Sequence, residues 1–152
     1  MKYNMKAWID NFKTAKAKKA IPVLSFPCVS LLGVSVRELI SDSNLQANGM
    51  KMVADRTDSA ASVSFMDLSV EAECFGATVC ISDDEVPTVK GRFINDMDEA
   101  EALAVPKVGS GITSIYIDAI RMACERICDR PVLAGVIGPF SLAARLLDVS
   151  EI

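Results

Sequence analysis

Hydrophobic and polar positions change period several times along the chain, and the changes predict alternating strands and helices. Residues 59–66 (SAASVSFM) are small, β-branched or aromatic and carry no charge, which predicts a strand buried on both faces. Asp67 ends that run, and residues 68–75 switch to helical spacing with Leu68, Ala72 and Phe75 on one side. Two more apolar runs, 21–26 (IPVLSF) and 132–137 (VLAGVI), predict further core strands. Residues 5–19 predict an amphipathic helix with Trp8, Ile9 and Phe12 as its apolar stripe, and 27–33 predict a loop. Ser35 with Glu38 three residues on forms a capping box for a short helix carrying Val36, Leu39 and Ile40. Asp42 or Ser43 then opens a helix over 44–56.

Residues 78–81 and 87–89, separated by Ser82-Asp83-Asp84-Glu85, predict a small hairpin beside the main sheet, with Pro87 confining its second piece to an edge. Residues 96–104 predict a short, acidic, solvent-facing helix, and 106–111 a loop with Ser110 as the next cap. The longest helix is expected over 112–128, with Ile115, Ala119, Met122, Ala123 and Ile127 lining its buried face. Gly138-Pro139-Phe140 predicts a turn off the third strand into a last helix over 141–147. This order predicts an α/β fold with parallel strands joined by right-handed crossovers, as in an α/β barrel or an open parallel sheet. A barrel of this type takes about 250 residues and eight strands. The 152 residues would supply less than half of one, so the expectation is either a single partial domain over 1–152 or an open sheet of three or four strands.

Composition narrows the class. Hydrophobic residues make up 51% and charged residues 24%, the balance of a globular chain rather than a disordered one. Charge is unevenly spread: residues 1–20 hold six lysines and one acid, whereas the remainder carries ten basic and nineteen acidic residues. The lysine run reads as the solvated face of an end helix, and the acidic remainder argues against a nucleic-acid partner. The longest uncharged runs, 21–36 and 131–144, contain Pro, Gly and Ser and fall short of the roughly 20 apolar residues of a membrane span. Asp10 and Lys13 interrupt any signal-peptide core. A cytoplasmic protein is expected, in keeping with five cysteines and no CxxC pair. Cys124 and Cys128 share a helical face; with no histidine in the chain to complete a metal site, packing is the expected role of both.

The chemistry is expected at Asp67. A buried strand that ends in an acid and runs into a helix is where α/β proteins place functional groups. The sequence leaves two roles open: Asp67 caps the following helix by accepting the amide of Ser69 or Val70, or it is a ligand-binding carboxylate, and one residue can do both.

Three segments together resemble the uroporphyrinogen decarboxylase superfamily, in particular its methylcobamide:coenzyme M methyltransferase branch. They are 21–26 with Gly33-Val34-Ser35-Val36-Arg37-Glu38-Leu39, then Ser64-Phe65-Met66-Asp67-Leu68-Ser69-Val70-Glu71-Ala72-Glu73, and PVLAGVIGPFSLAARL over 131–146. The resemblance implies the amino-terminal part of a (β/α)8 barrel, with about three parallel core strands and a small hairpin, whose site lies at the carboxyl ends of the strands. It implies that Phe65 and Asp67, in the family's F-x-D segment, face substrate, that Glu71 sits at the rim one turn on, and that Gly138-Pro139-Phe140 is a turn whose backbone approaches the ligand. It assigns no catalytic residue here. For the full-length family it implies zinc and a corrinoid, with a corrinoid protein or a small-molecule methyl acceptor as partner; no metal or cofactor is expected on this chain alone.

Two departures bear on activity. Where decarboxylases carry an arginine-rich loop for substrate carboxylates, this chain reads Pro27-Cys28-Val29-Ser30, which counts against uroporphyrinogen decarboxylation, the remotest alternative. The zinc ligands of the methyltransferases belong to the family's second half, so methyl transfer by this chain alone is not expected. The leading expectation is therefore a truncated methyltransferase-like protein; the other is a non-catalytic half-barrel that binds or assembles. In either case the exposed strand edges predict a homo-oligomer.

Overall fold

A computed structural model describes residues 3–147. Eight helices and four two-residue strands follow one another along these residues: α1 Met5–Thr14, α2 Cys28–Leu32, α3 Val36–Ile40, α4 Ser43–Arg56, β1 Ser62–Val63, α5 Val70–Phe75, β2 Val79–Cys80, β3 Thr88–Val89, α6 Met97–Glu101, α7 Thr113–Arg126, β4 Val132–Leu133 and α8 Pro139–Leu146. β1 and β4 pair in parallel, Ser62 opposite Val132 and Val63 opposite Leu133. β2 and β3 form the separate antiparallel hairpin.

Local chemistry sets the helix boundaries where the sequence is explicit. At α3, Ser35 accepts the Glu38 amide while the Glu38 carboxylate accepts the Ser35 amide, the reciprocal capping box. At α4, one Asp42 oxygen accepts the amides of Asn44 and Leu45 at 2.7 and 2.9 Å. α1 stops at Thr14 rather than continuing to 19, and Lys18 folds back to donate to the carbonyls of Phe12 and Lys13. Cations favour that end of a helix dipole. Trp8 and Phe12 stack with centroids 5.5 Å apart, but none of the residues of α1 is buried.

The main core lies between α2, α3, α4 and α7, with Phe65 and Val70 from the segment after β1. Small residues on both long helices, Ala47 and Ala54 of α4 and Ala119 and Ala123 of α7, are at most 3% exposed and let the helices pack closely. Arg126 ties the two together, donating to the Asn44 carbonyl, the Asn44 side chain and the Asn48 side chain. α2 crosses α4 at Gly49, where a Cβ would stand 2.3 Å from the Cys28 Sγ, so glycine is what permits the approach. A second, smaller core gathers Ala72, Ala77, Ile94 and Leu146; the Leu146 carbonyl accepts the amides of Phe93 and Ile94.

Several sequence expectations need correction. Residues 21–26 do not form a third core strand. The segment runs beside β1, but its nearby bonds are the Ala60 amide to the Ala20 carbonyl and the Ser25 hydroxyl to the carbonyls of Val63 and Ser64. Ile21, Val23 and Leu24 are 37, 58 and 36% exposed, so the described residues leave their outer side uncovered. The loop expected over 27–33 contains α2, closed by Gly33 at φ 68°. The parallel strands are shorter than predicted: beyond Leu133 the Gly135 amide turns to the Ser64 hydroxyl instead of a backbone carbonyl. Pro139 and Phe140 are not in a turn but open α8, proline being suited to a first helical position. Ser110 offers its carbonyl, not its side chain, to Thr113. Cys124 and Cys128 are exposed, so packing is not their role; Cys128 already lies past the end of α7. No helix among the described residues is long and apolar enough to cross a membrane.

Candidate functional site

Asp67 sits four residues past β1, in the turn that leads into α5. It is 6% exposed, and its two oxygens have different work. Oδ1 accepts the Ser69 amide at 2.9 Å and the Ser69 hydroxyl at 2.6 Å, which stitches the turn. Oδ2 accepts the Tyr116 hydroxyl at 2.7 Å, across 49 residues of sequence. A buried carboxylate needs such donors, and Asp67 has three. The amide expected from Ser69 is there, yet half of the carboxylate is committed to α7.

The carboxylate opens into a cavity of about 470 Å³, within the usual range for small-molecule sites. Phe65, Val70 and Phe75 line one side, Tyr116, Ile117 and Ile120 of α7 another, and Ala134 to Val136 a third. Its walls are overwhelmingly apolar, and Asp67, Glu71, Cys74, Tyr116, Thr113 and Lys107 supply the polar points. Glu71 also accepts the Ile137 amide at 3.2 Å, so it fastens the loop after β4 to α5. The structure thus brings Phe65, Asp67 and Glu71 together on one cavity. Gly138, Pro139 and Phe140 are not among its lining residues; Phe140 is 67% exposed, and a Cβ at Gly138 would meet nothing within 4 Å. The close backbone approach in that region falls at Gly135, where a Cβ would lie 2.3 Å from the Met66 Sδ.

Tyr116 is the site residue that the sequence reading missed. It shares a helical face with Ala119 and Ala123, and a tyrosine on a buried face implies a partner for its hydroxyl. Burial first, and then the Asp67 charge, push its pKa far above the ordinary 10.0. Burial, followed by the Asp67 charge, also raises Glu73 above the usual carboxylate value.

Tyr116→Phe is expected to cost about 1.5–3 kcal/mol at neutral pH, the worth of a hydrogen bond to a buried charge. The pH dependence has a definite sign. A folded pKa above the unfolded value of 10.0 gives stability that is full below pH 10 and is lost as pH rises towards the folded value, by up to about 1.4 kcal/mol per unit. The variant has no phenol to titrate, so it should lack this alkaline fall and the difference between the two proteins should narrow above pH 10. Urea midpoints for both proteins at pH 7, 10 and 11 test this; a constant difference across the three would show that Tyr116 is not held protonated.

The zinc implied for the family does not fit these residues. Among the described residues no three His, Cys, Asp or Glu side chains are grouped to hold a metal ion, and the chain has no histidine.

The chain is 29% identical over 82 residues to the methylcobamide:CoM methyltransferase MtbA of Methanosarcina acetivorans, an alignment covering 53% of this chain and 24% of that protein. Its fold matches a solved methyltransferase from Methanosarcina mazei with a TM-score of 0.78 at 19% identity, over 99% of this chain and 47% of the other. The chain therefore spans about a quarter of the curated relative and about half of the solved one. Residues 12–152 match the uroporphyrinogen decarboxylase (URO-D) family, and with nearly the whole sequence inside that match, the chain belongs to the uroporphyrinogen decarboxylase family.

Proposed function

We propose that the chain acts as the amino-terminal part of a (β/α)8 methyltransferase barrel, in which a methyl group passes from a methylcorrinoid to a thiol or similar acceptor. The observation that carries this reading is the buried Asp67 at the carboxyl end of a parallel strand, held by Ser69 and Tyr116 at an apolar cavity. The likeness to methyltransferases supports it.

The apolar walls and open mouth suit one side of a large planar group such as a corrinoid, which supplies the methyl group when bound. Phe65, Val70 and Tyr116 would hold that group and exclude water. Asp67 would accept N–H or O–H donors of the ligand, and its charge, in a low-dielectric setting, favours a cationic or donor-rich partner. Glu71 would keep the loop after β4 in place at the rim. A metal-activated thiol would have to be furnished by residues outside this chain, from further sequence or from a second polypeptide. A corrinoid protein or a small thiol is the corresponding partner.

The test is complementation. The 152 residues are assayed for loss of the methylcobalamin absorbance in the presence of 2-mercaptoethanesulfonate, alone and mixed with the carboxyl-terminal half of the Methanosarcina mazei methyltransferase. Turnover is expected only in the mixture. Turnover by the chain alone would overturn the partial-barrel reading; a folded mixture without turnover would overturn the methyl-transfer reading. The second reading, a half-barrel that binds but does not catalyse, draws on the apolar cavity and its buried carboxylate, which can hold a ligand with no further residue. It predicts cobalamin binding by the chain without turnover in any mixture.

A further inference from the structure

One wall of the cavity differs from the others. Residues 105–109 (Val105, Pro106, Lys107, Val108 and Gly109) all line it, yet Val105 is 85% and Val108 is 96% exposed. Val136, which also lines the cavity, is 76% exposed. Apolar side chains that border an apolar cavity while standing in water gain by turning inward onto whatever fills it.

The segment is built to allow that movement. It is fastened at both ends. On the amino side, Leu103 packs into the second core. On the carboxyl side, the Ser110 carbonyl accepts the Cys74 thiol at 3.0 Å and the Thr113 hydroxyl at 2.5 Å. Between these anchors, among the described residues, the hydrogen bond that reaches the segment is the Ser110 amide to the Lys107 carbonyl, within the loop itself. Gly109 at φ 81° and Gly111 at φ 54° flank the carboxyl anchor. Both are in the left-handed region, where glycine moves at little steric cost.

We propose that residues 104–109 are a strap that closes over the cavity when an apolar ligand enters, carrying Val105 and Val108 out of water and onto the ligand. Closure shields Asp67 and Tyr116 from solvent and strengthens the hydrogen bonds that they offer. The strap rests on the reading of this cavity as the ligand site, but not on methyl transfer.

The probe is 8-anilinonaphthalene-1-sulfonate, an apolar anion that brightens when it leaves water, used with the full 152-residue chain. Ile120→Glu, which puts a charge on the cavity wall, should abolish the bright binding and so locate the probe. Hydrogen-exchange mass spectrometry then reads the strap. Amides 104–109 should exchange almost unprotected in the free protein and at least about tenfold more slowly with probe bound, while α1 stays unchanged. Val105→Ser combined with Val108→Ser should make the probe leave about fivefold faster or more in stopped flow with Tm unaltered, since both side chains are exposed. Val86→Ser, at an exposed position in the hairpin turn, should do nothing. Bright binding at the cavity without added protection of 104–109, or an unchanged off-rate in the double variant, would overturn the strap and leave the cavity reading standing. No binding, or binding that survives Ile120→Glu, would overturn both.

Discussion

Asp67→Asn in the completed barrel is expected to lower methyl transfer at least about 100-fold, the usual size of effect for losing one preorganised electrostatic group, while the protein still folds. The two halves of this expectation have separate grounds. Asparagine keeps the shape of the side chain. Its carbonyl oxygen can go on accepting the Ser69 amide and hydroxyl that now reach Oδ1, and its NH2 can donate to the Tyr116 hydroxyl, which accepts as readily as it donates. The turn into α5 should survive, with a stability change of about 1 kcal/mol. What disappears is the negative charge at the buried end of the cavity. Full activity in a stably folded Asp67→Asn protein would reduce Asp67 to a turn anchor. Loss of activity together with loss of fold would leave the roles mixed, and Tyr116→Phe separates them, because it keeps the charge and removes only its partner.

Leu39→Ala should have the largest effect on stability. Leu39 is fully buried, in the cluster with Cys28, Ala47 and Met50. α3 is one turn and a half long and is flanked by α2 and α4, so little backbone can collapse into the space. A loss of about 3 kcal/mol follows from comparable leucine deletions, or roughly 6–12 °C in Tm for a chain of this size. Leu31→Ala on the outward side of α2, where the side chain is 38% exposed, should change stability by less than about 1 kcal/mol. Equal losses at the two positions, measured by urea denaturation, would mean that α3 is not part of the cooperative core.

What could be read from the sequence follows a physical division. Elements determined by neighbours in sequence were legible: the capping box at Ser35 and Glu38, the start of α4 at Asp42 or Ser43, the hairpin, and the buried face of α7 at Ala119 and Ala123, with Ile127 just past its end. α2 was missed, although Pro27 ahead of it and Gly33 behind it are the usual punctuation of a helix. Elements determined by distant partners were not legible. Residues 21–26 have the composition of a strand, but a strand exists only where another backbone pairs with it, and here Ala20 finds one bond. Asp67 could be named because strand-end acids carry their own signature. Its partner could not, because Tyr116 comes from a helix 49 positions away, and only the need of a buried hydroxyl pointed to it. The cavity wall at 105–109 overlaps the loop expected over 106–111, and exposed valines beside Pro and Gly give no hint of what they border.

The crossing of α2 and α4 has a practical consequence. The Cys28 sulfur is sealed against Gly49 and fully buried, and burial pushes its pKa up to about 11, whereas Cys80, Cys124 and Cys128 are exposed. Alkylating reagents need a reachable thiolate, so Cys28 can react only in molecules where the crossing has come apart. The rate at which iodoacetamide labels Cys28, set against its rate in an unfolded peptide, is then an internal clock of opening. It keeps time without denaturant, in dilute samples and in mixtures, and each variant described above carries the same clock at the same place in its core.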